Sequence, residues 1–289
     1  MPLAPRFIVK AISKRYIAGD TAESAVKTCR QLQERGFVTT LDILGESISH
    51  QDQAMAALDS YLALIDLVST SNIEKNISLK PTALGLGLSQ DLALGNIERI
   101  VQHAGEQGMF IRIDMEDSPY TDKTIQIYNT LRSRYANVGT VVQAYMRRSM
   151  EDVRSIAETG GNLRICKGIY KESEAIAFQD RQKIRDNYLA LLKVMFAAGA
   201  YVGIATHDDV LIEGALQLIK SRQVSPDKYE FQALLGVPIE TRLEQLINAG
   251  HKVRIYVPFG SDWYAYSSRR LKENPDLAGY IVKNLFKSG

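Results

Sequence analysis

The sequence predicts an α/β protein, a (βα)8 TIM-type barrel with one further helix after strand eight. Three observations predict it. Short β-rich runs alternate with longer helical patterns, one unit roughly every 23 to 39 residues, which is the rhythm of βα units. Several runs are near-continuously apolar rather than alternating, as parallel strands covered on their outer face require. The 289 residues also contain no low-complexity stretch and no Pro/Gly/Ser-rich linker, which suits one barrel better than two small domains. The expectation is a single barrel domain over 1–289, with a short N-terminal helical segment over about 1–36.

Asp20 with Glu23 forms a capping box that opens a helix running to about Arg35, and Gly36 stops it. Strands are expected at 37–44, 76–80, 109–114, 139–145, 162–167, 201–206, 229–234 and 252–257. Gly108, Gly199 and Gly250 act as helix stops just before strands three, six and eight. Eight such runs match a closed barrel better than an open sheet of five or six strands. After the eighth, Ser261 or Asp262 caps a helix. On it Tyr266, Arg269, Arg270 and Glu273 fall at i, i+3, i+4 and i+7, which is one face.

Composition excludes several function classes. The 35 basic and 33 acidic residues leave a net charge of +2, and the basic runs are short and separated, so no nucleic-acid footprint is expected. Two distant cysteines, Cys29 and Cys166, fit a reducing compartment and argue against a disulfide framework or a cysteine-rich zinc site. The histidines His50, His103, His207 and His251 form no HExxH pairing, and no metal site is expected. No long uninterrupted apolar run is present, and the expectation is a soluble, cytoplasmic protein. Neither GxGxxG after strand one nor GxxxxGK[ST] occurs, which argues against a Rossmann-held nicotinamide and a P-loop nucleotide.

In such barrels the chemistry sits at the carboxyl ends of the strands. Polar residues gather there: Asp42 and Glu46, Lys80, Asp114, Gln143, Lys167, Thr206 with His207, Gln232 and Tyr256. Lys80 could anchor a carboxylate, form a Schiff base or pair with a neighbouring acid; Asp114 could be catalytic, a metal ligand or that acid. Arg164 and Lys167 lie on one strand in a parity that leaves open which of them faces the lumen, and Gly168 offers a bare backbone to a ligand. The arginines of the last helix have two readings. Two guanidiniums near a site mouth make a bidentate receptor for a carboxylate or phosphate. Alternatively the face is solvated, with an Arg269–Glu273 pair along the helix.

The segments Leu-Asp-Ile-Leu-Gly-Glu46, Ile-Ser-Leu-Lys80, Ile-Asp114-Met-Glu-Asp, Gln143-Ala-Tyr, Leu-Arg164-Ile-Cys-Lys167-Gly168, Ala-Thr206-His207, Glu-Phe-Gln-Ala-Leu234, Tyr256-Val-Pro-Phe-Gly and Tyr266-Ser-Ser-Arg269-Arg270-Leu-Lys-Glu273 together carry a resemblance. In this set and order the chain resembles the proline dehydrogenase family, in its monofunctional bacterial form and as a domain of bifunctional proline-utilisation proteins. The resemblance implies a barrel that binds FAD at the strand ends and oxidises L-proline to Δ1-pyrroline-5-carboxylate by hydride transfer to flavin. It makes the last helix a substrate helix. Lys80, Arg269, Arg270 and Glu273 would form the substrate site, with Tyr256 and Leu234 on the pyrrolidine ring. Glu46 would gate the site by pairing with Arg269. Asp114, Arg164 and Tyr256 would be catalytic residues, and Met115, Gln143, Arg164, Lys167, Gly168, Ile169, Thr206 and His207 would contact FAD. It further implies quinone as electron acceptor, peripheral contact with the inner membrane, and transfer of product to a pyrroline-5-carboxylate dehydrogenase.

Two departures stand out. The chain begins close to the first barrel element, where family members often carry a preceding helical segment. Ile169 stands where many relatives have a small residue, which bears on tolerance of ring-substituted prolines such as hydroxyproline. Two rival classes remain: a Schiff-base barrel aldolase using Lys80 or Lys167, and a proline-binding barrel without turnover.

Overall fold

The computed structural model describes residues 15–45 and 48–264, together with Ser13 and Ser267. Eight parallel strands close into one barrel in sequence order. The strands are β1 (Val38–Ile43), β2 (Asn76–Leu79), β3 (Phe110–Ile113), β4 (Val138–Gln143), β5 (Asn162–Cys166), β6 (Tyr201–Ala205), β7 (Tyr229–Leu234) and β8 (Val253–Phe259). β1 closes on β8 over six residue pairs, from Val38 opposite Arg254 to Ile43 opposite Phe259. The expected strands are all present, with ends moved by two residues at most.

Eight α-helices lie among the described residues: α1 (Ala22–Glu34), α2 (Gln51–Ser69), α3 (Gln90–Glu106), α4 (Ser118–Arg132), α5 (Ser149–Glu158), α6 (Arg181–Ala197), α7 (Asp209–Arg222) and α8 (Glu240–Asn248). α1 precedes β1, and the others cross over between successive strands. α2 shows why they pack as they do. Ala54, Leu58, Tyr61, Leu64, Ile65 and Val68 recur at helical spacing and are the residues it buries. They meet the outward faces of the strands, where Ile77, Leu79, Ile111, Ile113, Leu163 and Ile165 are completely buried. This apolar shell, and not the barrel interior, is the hydrophobic core.

Helix punctuation follows the sequence with one correction. The cap of α1 is Thr21 rather than Asp20: its hydroxyl accepts from the Ser24 amide at 3.3 Å. Gly36, Gly108, Gly199 and Gly250 all adopt positive φ at helix ends, as their stop role requires. Of the segment where a helix is expected after β8, Trp263, Tyr264 and Ser267 are helical, and Tyr266, Arg269, Arg270 and Glu273 are outside the described residues. No helix among the described residues is long and apolar enough to cross a membrane.

The barrel interior is polar, and its contacts join both neighbouring strands and strands across the lumen. Arg164 of β5 reaches Ser78 of β2, its Nη2 donating at 3.0 Å across the lumen. Thr40 and Ser78 hydroxyls meet at 3.1 Å. Lower in the barrel, Arg112 donates to the carbonyls of Thr140 and Asn162 at 2.9 and 2.8 Å. Arg254 holds Glu230 through Nε and Nη2 at 2.7 and 3.0 Å, and also donates to the Thr39 carbonyl at 2.6 Å. Such side chains need room. A Cβ on Gly139 would lie 2.5 Å from Arg112 Nη1, and one on Gly203 would lie 2.3 Å from the Gln232 amide. Both strand glycines are there because long polar side chains occupy the space a side chain would take.

Glu230 yields a pH prediction. Burial works against its charge, but Arg254 outweighs burial and holds the carboxyl down to about 2, against an ordinary 4.5. A depressed folded-state pKa contributes stability that is full above the ordinary value and lost as pH falls toward the folded one. Replacing Glu230→Gln is therefore expected to remove about 3 kcal/mol of unfolding free energy at neutral pH, with the deficit shrinking as pH falls from about 5 to 2. Urea unfolding across that range checks it. A deficit independent of pH would contradict it.

Candidate active site at the carboxyl ends of the strands

One ionic network spans the mouth of the barrel. It is built from residues within or just after β1, β2, β3, β5, β7 and β8. Lys80 follows β2 directly, where Pro81 starts a short 3-10 turn, Pro81–Leu84. Its ammonium donates to Asp42 Oδ2 at 2.8 Å and to the Tyr256 hydroxyl at 3.2 Å, with Asp114 Oδ2 at 3.7 Å. The Tyr256 hydroxyl in turn donates to Asp114 Oδ2 at 2.8 Å. Arg164 takes the other oxygen of Asp114 at 2.7 Å and donates from Nε to Gln232 at 2.6 Å. The Tyr256 ring also lies between two cations, with Arg164 Cζ 5.2 Å and Lys80 Nζ 5.8 Å from its centroid.

Electrostatics set the protonation states. Burial alone would depress Lys80, but the charge of Asp42, with Asp114 behind it, outweighs burial and holds the ammonium well above the ordinary lysine value. Burial also pushes Asp42 up, against the pull of Lys80. The two directions concern one proton, and the charged pair is the resting state: an ammonium facing two carboxylates is not the partner that gives it up. Burial and the charges of Asp114 and Asp42 push the Tyr256 phenol well up, so it stays a donor. Cys166, at the end of β5, is pushed up to about 11 by burial and is no thiolate at neutral pH.

A second group lines the rim over β4, β5 and β6. Met115 and Gln143 are buried, and the Gln143 amide donates to the Glu116 carbonyl at 2.9 Å. Lys167 points outward at the rim, its side chain 45% exposed and its ammonium 3.3 Å from Asp208. This resolves the parity left open by the sequence, since Arg164 is the member that enters the lumen. Gly168 has φ +108°, and a Cβ there would fall 2.1 Å from the Tyr145 ring, so the turn lies flat on that ring. Ile169 is 46% exposed, a large apolar side chain at the surface of the same loop. Thr206 accepts from the Asp208 amide at 3.1 Å. His207 Nε2 accepts from the Leu234 amide at 3.0 Å, which leaves the neutral ring's proton on Nδ1 and brings Leu234 beside it. A half-exposed ammonium, a bare glycine turn, a hydroxyl, an imidazole and an exposed apolar side chain make a donor set that fits a phosphate-bearing cofactor with a flat ring.

Lys80, Asp114, Arg164 and Tyr256 are thus brought together, while Met115, Gln143, Lys167, Gly168, Ile169, Thr206, His207 and Leu234 lie at or just after the carboxyl ends of β3, β4, β5, β6 and β7. Glu46, Arg269, Arg270 and Glu273 lie outside the described residues. Four contributors were not singled out from the sequence. Ser78 supports Arg164 from across the lumen. Glu116 is buried and accepts from the Thr82 amide and hydroxyl at 2.8 and 2.6 Å, which pins the turn after Lys80 to the end of β3. Tyr170, in the loop after β5, has its phenol pushed up by burial and by Glu116 and Asp114, which puts it in the same electrostatic field. Asp208 carries the fourth contribution, taken up below.

Comparison with known proteins agrees with this geometry. A sequence profile of the family described as proline dehydrogenase matches residues 25–281. The chain is 37% identical over 275 residues to proline dehydrogenase 1 of Bacillus subtilis, covering 95% of this chain and 91% of that protein. It is 34% identical over 281 residues to the proline dehydrogenase of Deinococcus radiodurans, covering 96% and 90%. Among solved structures, proline utilization A from Bdellovibrio bacteriovorus, inactivated by N-propargylglycine, superposes with a TM-score of 0.85 at 22% identity. The match covers 92% of this chain and 33% of that longer one, and shows a shared fold.

The Lys80–Asp42 pair supplies a stability prediction. Asp42→Ala leaves a buried ammonium with only the more distant Asp114 as counter-charge, and is expected to cost about 3–5 kcal/mol of unfolding free energy. Adding Lys80→Met to that variant removes the stranded charge and should recover much of the loss. Denaturant unfolding of the single and double variants decides it; a single variant within 1 kcal/mol or so of the parent protein would show that the pair is not a buried ionic contact.

Proposed function

The chain belongs to the proline dehydrogenase family, and from that premise we propose that it oxidises L-proline to Δ1-pyrroline-5-carboxylate with FAD at the carboxyl ends of the strands. The observation that carries this reading is the Lys80 ammonium, held charged at the barrel mouth by Asp42 and Asp114 at 2.8 and 3.7 Å. A fixed ammonium at a site mouth is a receptor for a small carboxylate, and charged hydrogen bonds of this kind contribute roughly 1.5–3 kcal/mol each. Arg269 and Arg270 of the last helix complete the receptor with planar, bidentate donors, and Glu273 balances their charge. Glu46 closes the site by pairing with Arg269.

When bound, FAD supplies the two-electron acceptor that takes hydride from the ring carbon next to nitrogen. The protein's residues do the rest. Lys167, Gly168, Ile169, Thr206 and His207, with Met115 and Gln143, hold the cofactor over the strand ends. Tyr256 and Leu234 pack on the pyrrolidine ring and keep its reacting carbon in place, which is where proximity contributes most. Arg164, fixed by Asp114, Gln232 and Ser78 at 2.7, 2.6 and 3.0 Å, sets a positive charge that stabilises negative charge gained by the reduced ring. Oxidation requires the proline nitrogen to be neutral. Lys80 and Tyr256 both keep their protons, so neither is the group that accepts the amine proton.

The same charge state weighs against a Schiff-base aldolase at Lys80, because such a lysine needs its pKa lowered and Lys80 is raised. The reading extends to quinone as the onward electron acceptor, to a cytoplasmic protein in peripheral contact with the inner membrane, and to hand-over of product to a pyrroline-5-carboxylate dehydrogenase.

Anaerobic addition of L-proline to the purified protein tests the reaction. The expected result is a yellow protein whose oxidised-flavin bands bleach on mixing. A colourless protein would remove the cofactor and leave the aldolase. A yellow protein that binds proline without bleaching would instead be a binding barrel.

A further inference from the structure

The loops after β5 and β6 are bridged by one carboxylate that the reaction itself does not use. Asp208 caps α7 by accepting from the Val210 amide at 3.2 Å. The same carboxylate receives Arg185, from α6, in a bidentate contact: Nε to Oδ2 and Nη2 to Oδ1, both at 3.0 Å. Lys167, the first residue after β5, donates to Oδ2 at 3.3 Å. The carboxylate is 11% exposed, whereas the Lys167 side chain is 45% exposed and free to reach past it. These cations hold the Asp208 carboxyl below the ordinary carboxylate range although burial works the other way.

We propose that Arg185 is a positioning residue for the cofactor. By sharing Asp208 with Lys167 it weakens that carboxylate's hold on the lysine and its repulsion of the cofactor's diphosphate. The inference rests on the proposed FAD site and goes beyond it, because neither Arg185 nor Asp208 is assigned a contact with the cofactor. The physical case is one of charge. A diphosphate would bring negative charge to a rim where the Lys167 ammonium already donates to an acid, Asp208, at 3.3 Å. Two anions competing for one ammonium weaken each other's hold, and a like-charge contact is costly. The bidentate arginine gives Asp208 a better partner than Lys167, since its planar fork matches both oxygens, leaving the lysine available.

Charge rescue tests it. Apoprotein of each form is titrated with FAD, and binding is followed by quenching of flavin fluorescence. Arg185→Gln is expected to weaken FAD binding by roughly tenfold or more, with the deficit larger at low ionic strength. Asp208→Asn is expected to bind FAD at least as well as the parent, because asparagine retains the helix cap while losing the charge. The double variant Arg185→Gln/Asp208→Asn should regain near-parental affinity. A purely structural role for Arg185 gives no such rescue, and a double variant as weak as the single one would overturn the proposal. Unchanged affinity in Arg185→Gln would overturn it too. A parent protein that takes up no FAD would remove the cofactor reading and this inference together, whereas normal parental uptake with no variant effect removes the inference alone.

Discussion

A barrel lumen lined with charged side chains must neutralise itself, and this constraint organises the molecule. Among the described residues, three of the four buried lumen cations face a carboxylate: Lys80 meets Asp42, Arg164 meets Asp114, and Arg254 meets Glu230. Arg112 instead caps backbone carbonyls, and burial together with the nearby Arg164 pushes its guanidinium down to about 9. Removing one of these acids leaves a buried cation short of counter-charge in low dielectric, which is far more costly than losing a surface pair. The polar interior therefore shifts the work of folding to the apolar shell between strands and helices, and reserves the lumen for binding.

The vertical order of that lumen has a functional sense. The lower layer, with Arg254 gripped by Glu230 and by the Thr39 carbonyl, uses up its hydrogen-bonding capacity internally. The upper layer uses cations on groups that remain near the open mouth. Tyr256 joins the halves: its hydroxyl links Lys80 to Asp114 and its ring sits beside Arg164. In the proposed reading, an incoming carboxylate would meet an ammonium already oriented, so little would be spent on ordering it. The rim over β5 and β6 follows the same rule, with Asp208 shared between Lys167 and Arg185.

Much of this was legible in the sequence, for physical reasons that differ by residue. The parallel strands declared themselves because both faces are covered, giving apolar runs such as Tyr201–Ala205, which follows the helix stop Gly199. Lys80, Asp114 and Tyr256 stood out because polar groups at strand carboxyl ends have no structural need to be there. The lower-layer charges were missed: Arg112, Glu230 and Arg254 sit mid-strand, where a charge resembles a solvent-facing residue. Their signal was alternation, since each is flanked by apolar neighbours, but alternation does not say which face is the lumen. The parity of Arg164 and Lys167 failed in the same way, because the strand ends between them. Asp208 with Arg185 could not be found from spacing: they belong to different helices and meet only once the barrel closes. The α1 cap moved from Asp20 to its neighbour Thr21, since adjacent capping residues compete on equal terms.

The central claim is that an internally balanced charge network presents one ammonium to the substrate's carboxylate. Steady-state kinetics of Lys80→Met combined with Asp42→Asn, which keeps the lumen neutral, tests it most directly. The expected result is a proline KM raised by roughly ten- to hundredfold with bound flavin unchanged, in line with the loss of one charged hydrogen bond. A proline KM close to that of the parent protein would contradict it.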